Sequence, residues 1–148
     1  MKIIKPISRT LSQNSRMGDE MSTDIAAPEF ASASFWQVIN CRSEPWEGVP
    51  VTLKHPFEKG DEVTFDVMVF AGYDPDPSTT LHSFTITVAK NSPEVICKIP
   101  WEGVLDSVTK GTIRVQCCLK STLRATKVEF RRAEVSYNRE TPEGICTP

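Results

Sequence analysis

Glu58-Lys59-Gly60-Asp61-Glu62-Val63-Thr64-Phe65-Asp66-Val67-Met68-Val69-Phe70 carries the plainest structural signal in this chain. Lys59-Gly60-Asp61 reads as a turn. After it, Val63, Phe65, Val67 and Val69 alternate with Thr64, Asp66 and Met68, the period-2 pattern of a strand with one buried face. The pattern recurs on both sides. Downstream, residues 81–89 place Phe84, Ile86 and Val88 on one face, and residues 95–99 read as a short strand ending at Pro100. Next, Ile113, Val115, Cys117 and Leu119 alternate with Arg114, Gln116, Cys118 and Lys120. Residues 127–137 close the series with a change of phase, because Val128 and Phe130 do not align with Ala133, Val135 and Tyr137; this predicts a bulge near Arg131-Arg132. Upstream, residues 35–41 and 49–53 read as strands. The loop over residues 71–78 holds Pro75 and Pro77, which cannot donate to a ladder, so it separates strands.

Seven or eight short strands and no long helical period predict an all-β chain, specifically an Ig-like antiparallel two-sheet β-sandwich. Its expected core is Trp36, Val63, Phe65, Val67, Phe84, Ile86, Val88, Ile113, Val115 and Val135. An extended N-terminal arm over residues 1–33, polar and without period, is expected to be flexible or partner-bound. The sandwich covers residues 34–139 and a C-terminal tail covers residues 140–148. Pro-Trp-Glu-Gly-Val occurs twice, at residues 45–49 and 100–104, and takes two of the three tryptophans. The copies are too close to mark two sandwiches of about 100 residues each. They are expected at two corners of one domain, with Trp46 and Trp101 packed there, and residues 101–108 are expected to turn once between sheets.

At 39% hydrophobic and 24% charged, with a net charge of -2, the composition is that of one soluble globular domain. No run of 7–15 apolar residues opens the chain and none reaches the roughly 20 of a membrane span. The protein is therefore expected in the cytoplasm or in an assembled particle, without a signal peptide. Cys41, Cys97, Cys117, Cys118 and Cys146 are odd in number and expected to be reduced, with Cys41, Cys97 and Cys117 in the core and Cys118 facing outward. A Cys41–Cys117 or Cys97–Cys117 bridge is the rival in an oxidising setting.

The run from Glu58 to Phe65, the strand holding Phe84, Ile86 and Val88, and Ile99-Pro100 through Gly111-Thr112-Ile113-Arg114-Val115 resemble bacterial Ig-like repeat domains of large surface and adhesin-type proteins. In that pattern a Gly-Asp turn opens a strand, and an apolar-Pro segment crosses over before a Gly-x-apolar-x-apolar strand. The resemblance covers residues 41–137 and implies the sandwich. Such repeats usually stand in tandem behind an export signal, and none is expected here, so the resemblance is taken to imply fold rather than adhesion.

No catalytic, cofactor or metal site is expected. Only His55 and His82 are available as neutral-pH bases, and neither lies in a nucleophile motif. Cys117-Cys118 cannot present two thiolates to one ion, since neighbours on a strand point to opposite faces. Asp74-Pro75-Asp76-Pro77-Ser78-Thr79 has the spacing of hard oxygen ligands but lacks the further carboxylates of a tight calcium loop. Charge is more telling. Residues 110–139 hold eight Lys or Arg against Glu129 and Glu134, a segment charge of +6 in a chain of -2. Such a stripe suits an acidic protein surface or self-association, while a pI near 5.7 speaks against nucleic acid. The expected function is a non-enzymatic protein-binding or assembly module, foremost a structural subunit of a phage-like particle or secretion assembly. The alternatives are an immunity or toxin-associated partner, and a cysteine-dependent enzyme. The expected contact residues are Ile3, Ile4, Ile7 and Leu11 in the arm and Arg114, Lys120, Arg131 and Arg132 on the basic face.

Overall fold

A computed structural model describes residues 27–34, 37–121 and 127–148. The chain runs through β1 (Glu29–Phe30), β2 (Val38–Asn40), β3 (Val49–Phe57), β4 (Glu62–Ala71), β5 (His82–Thr87), β6 (Ser92–Ile99), β7 (Lys110–Lys120), β8 (Lys127–Glu129), β9 (Ala133–Asn138), β10 (Glu140–Thr141) and β11 (Gly144–Ile145). One sheet has the order β1-β3-β6, and the other has the order β2-β9-β7-β4-β5 with β8 also on β7. β10 and β11 form a separate small hairpin. Alternation dictates the layering. Val49, Val51, Leu53, Val95, Cys97 and Ile99 from the first sheet meet Val63, Phe65, Val67, Ile113, Val115 and Cys117 from the second in one buried cluster, so the all-β, sandwich-like expectation stands.

β4 and β7 form the backbone of the larger sheet, paired antiparallel from Glu62↔Lys120 to Ala71↔Gly111. Gly111 permits that length, because a Cβ there would collide with the Phe70 carbonyl. The predicted turn forms where expected: Gly60 takes φ 93°, Asp61 N–H donates to the Glu58 carbonyl at 3.0 Å, and the Asp61 carboxylate accepts the Glu58 N–H at 2.9 Å. The bulge also forms. Cys118 faces Glu129 whereas Val115 faces Ala133, so three residues of the later strand oppose two of β7. Phe130 turns into the core, and Arg131 and Arg132 turn out.

Several expectations are corrected. The larger sheet is not purely antiparallel: β2 lies parallel to β9, from Val38↔Ser136 to Asn40↔Asn138. The chain crosses from β1 in one sheet to β2 in the other and back to β3, a route that alternation does not encode. β1 lies within the segment assigned to the arm and pairs with Val51 and Thr52. Phe84 and Ile86 are only half-buried, because among the described residues β5 is an edge strand with no strand on its far side. Trp36 falls outside the described residues.

The two Pro-Trp-Glu-Gly-Val copies meet at one corner rather than marking two. β3 starts at the end of the first copy, β6 stops just before the second, and Val49 pairs with Ile99, so antiparallel pairing brings both copies to the same place. The Trp46 and Trp101 rings stand edge to face at 6.4 Å. Trp101 is also stacked by Arg139, whose guanidinium lies 4.7 Å from the ring centre.

The all-reduced expectation is overturned by a disulfide between Cys41 and Cys146. The parallel strands explain it. Cys41 follows Asn40, which faces Asn138, and the β10–β11 hairpin doubles back so that Cys146 N–H donates to the Arg139 carbonyl at 2.9 Å. The C-terminal residues assigned to a tail thus fold against the same corner. Cys41 consequently leaves the core, where Cys97 and Cys117 remain as buried free thiols.

Candidate functional site

The outer face of the larger sheet is built by the even-numbered side chains of β7 and their cross-strand neighbours. Its polar residues pair in rows. Thr64 and Thr85 share a hydroxyl hydrogen bond at 3.1 Å, Ser83 Oγ donates to the Asp66 carboxylate at 2.6 Å, and Gln116 donates to the Phe130 carbonyl at 2.6 Å. The eight basic residues of this region do not form one continuous stripe. Arg114 is paired with Glu134 on β9 and lies over the Phe70 ring at 5.2 Å, so its charge is locally balanced. Arg132 approaches the same carboxylate at 3.8 Å. Arg131 is exposed in the bulge, and Lys120 is exposed at the end of β7 between Glu62 and Lys127.

Arg139 departs furthest from a surface role, being 4% exposed. Its guanidinium donates to three carbonyls: Val108 at 3.0 Å, Asp106 at 3.4 Å and Cys146 at 3.1 Å. No carboxylate among the described residues pairs with it, so backbone dipoles and the Trp101 ring face hold the charge. Arg139 is a tie inside the Trp corner, and it is subtracted from the basic face. Arg124, Ile3, Ile4, Ile7 and Leu11 lie outside the described residues.

Several of the groups weighed as catalytic or ligand candidates lie buried or spend their polar atoms locally. Burial pushes the Cys117 thiol up, away from the thiolate a nucleophile needs, and it does the same to Cys97. β4 stands between Cys117 on β7 and His82 on β5. Tyr137, also in the core, is pushed up to about 12 by burial while its hydroxyl donates to the Leu105 carbonyl at 2.7 Å. Burial lowers His55 below 6.5, against a smaller opposing pull from the Asp61 carboxylate. The imidazole stands edge to face with Phe57 and Phe130 at 5.1 and 5.5 Å. Asp76 spends its carboxylate on its own turn, accepting from Ser78 N–H and Oγ at 2.9 and 2.6 Å, which lowers its pKa.

Among the surface openings, one lies on the smaller sheet and another beside β2. Between Lys54 and Phe57 the β3–β6 register shifts by one, so His55 and Pro56 together oppose Pro93 and leave a groove of about 740 Å³. The second opening, about 410 Å³, is lined by Ser32, Asn40, Arg42 and Ser43, with the Ser32 hydroxyl buried and unpartnered. Sequence reading missed the buried role of Arg139, the pairing of Cys146, and the place of β6 at the edge of its sheet among the described strands. For β6 a signal existed in the two prolines, Pro93 and Pro100, that bracket it. No helix among the described residues is long and apolar enough to cross a membrane, and no three His, Cys, Asp or Glu side chains there gather as a metal site. No protein-family model matches the chain, and neither a curated protein nor a solved structure shows significant similarity to it.

Proposed function

We propose that this chain is a non-enzymatic protein-binding or assembly module with an Ig-like sandwich as its scaffold, foremost a structural subunit of a larger particle or secretion assembly. The observation that carries this reading is the bulge between β8 and β9. It buries Phe130 and turns two consecutive arginines, Arg131 and Arg132, to solvent between β8 and β9. On a regular strand neighbours alternate faces, so a bulge is what lets two consecutive side chains both reach solvent. With the exposed Lys110, Lys120 and Lys127 they make up the solvent-facing part of the basic region among the described residues, suited to an acidic protein surface. Ile3, Ile4, Ile7 and Leu11 of the arm supply apolar anchors for a neighbouring subunit.

The test is sedimentation of the full chain at low and high salt, alone and with its assembly partners. Arg131→Glu/Arg132→Glu is expected to weaken association strongly at low salt and little at high salt. Ile3→Asp/Ile7→Asp is expected to weaken it at both. Association that ignores salt and both variants would refute the reading.

A further inference from the structure

β6 is the outermost strand of the three-stranded sheet, and no described strand covers its far side. An edge strand offers unpaired N–H and C=O groups, which proteins normally guard with charges and prolines. β6 carries both, but its charges are arranged about a centre. Val95, Cys97 and Ile99 point into the core, while Glu94, Ile96 and Lys98 point out. Ile96 is 53% exposed, one of the few large apolar side chains so placed. Glu94 and Lys98 lie two residues to either side of it with opposite charge, and neither has an ion-pair partner among the described residues. At the start of the strand Ser92 Oγ engages both the N–H and the C=O of Glu94, so the ladder open to a partner centres on Ile96.

Glu94-Val95-Ile96-Cys97-Lys98 is self-complementary when laid antiparallel on a second copy. Ile96 meets Ile96, and Glu94 of each chain faces Lys98 of the other. Side chains directly opposite in an antiparallel pair are about 4.5–5.5 Å apart at Cβ, close enough for both charge pairs to form. A foreign strand without that charge order would leave Lys98 or Glu94 facing a mismatch. The Lys98 stem lies against Gly48, which keeps it on the outer face.

We propose that β6 pairs antiparallel with β6 of a second copy of this chain about a two-fold axis at Ile96, fusing two three-stranded sheets into one of six strands. Such an interface is isologous, so it closes as a dimer. It rests on the assembly reading above for its setting but uses a different surface from the basic bulge, and the two can fail separately.

The experiment is sedimentation velocity of the full chain from micromolar to millimolar concentration. A monomer–dimer equilibrium is expected. Glu94→Lys and Lys98→Glu should each raise the dimer dissociation constant by about tenfold or more, since each places like charges opposite one another twice. The double variant Glu94→Lys/Lys98→Glu should restore it. An equimolar mixture of the two single variants should form a heterodimer tighter than either alone. Arg131→Glu/Arg132→Glu should leave this dimer intact. All these positions are exposed, so unchanged melting temperatures would confirm that folding is not the cause. A chain that stays monomeric at millimolar concentration, or a dimer indifferent to both single charge reversals, overturns the proposal; the first result would leave the edge to a foreign strand.

Discussion

Arginine occupies two opposite settings in this molecule. At the Trp corner, Arg139 is sealed beneath the Trp101 ring, donating to three carbonyls beside the Cys41–Cys146 bridge. On the outer face, seven residues earlier in the chain, Arg131 and Arg132 stand in solvent on a bulge. The first ties Asp106, Val108 and the Trp101 ring to the C-terminal segment at Cys146, whereas the second pair makes no such backbone ties among the described residues and stands exposed. A basic count along the sequence treats the three alike. Burial, the Trp101 ring and the backbone acceptors around the Arg139 guanidinium separate them.

That contrast can be broken experimentally, first at the corner. Arg139→Met keeps much of the stem but strands the carbonyls of Asp106, Val108 and Cys146. It should cost about 3–5 kcal/mol by denaturant titration, as several buried acceptors lose their donor. A loss below about 1 kcal/mol would show that water replaces the guanidinium and that the corner is open. Next in size is Cys146→Ser, or reduction of the wild type. The bridge spans 105 residues of sequence, and opening so large a loop should lower stability by about 2–4 kcal/mol. An unchanged midpoint after complete reduction, checked by thiol titration, would show that the hairpin and Arg139 hold the corner alone.

On the outer face the expected stability changes are small. Arg131→Glu/Arg132→Glu should shift stability by no more than about 0.5 kcal/mol while altering association. A drop of several kcal/mol would move these residues to the structural class of Arg139. The smallest effect concerns His55, packed between Phe57 and Phe130. Its folded pKa is lowered below the ordinary 6.5, so the unfolded chain takes up the proton first as pH falls. Its contribution is present in full above pH 6.5 and is lost as pH drops through that value and below. His55→Gln should therefore flatten the pH dependence of the melting temperature between pH 7.5 and about 5.5 relative to wild type. Identical slopes for the two proteins would place His55 in solvent.

The strands around Val63, Val67, Ile113 and Val115 were legible because a half-buried strand must alternate, and alternation is a local property of sequence. The bulge at Arg131-Arg132 was legible for the same reason, as a break in that alternation. The contact surface was less so. Arg131 and Lys120 sit where a solvent-facing reading puts them, but Arg114 is neutralised by Glu134 and Arg139 is buried, because cross-strand partners lie dozens of residues away or on the far side of a turn.

By itself the sequence determined the all-β class, the turn at Lys59-Gly60-Asp61 and the inward faces of β4 and β7, but not the short strands β1, β10 and β11. What it determined follows from spacing and turn chemistry within a dozen residues. Tertiary structure alone decided that β2 runs parallel beside β9, that the two Pro-Trp-Glu-Gly-Val copies share one corner, that Cys41 meets Cys146, and that β6 is outermost among the described strands of its sheet. Each of those depends on which strand lies next to which. Period-2 alternation fixes which face a residue turns to the core and carries no record of its neighbour across the sheet.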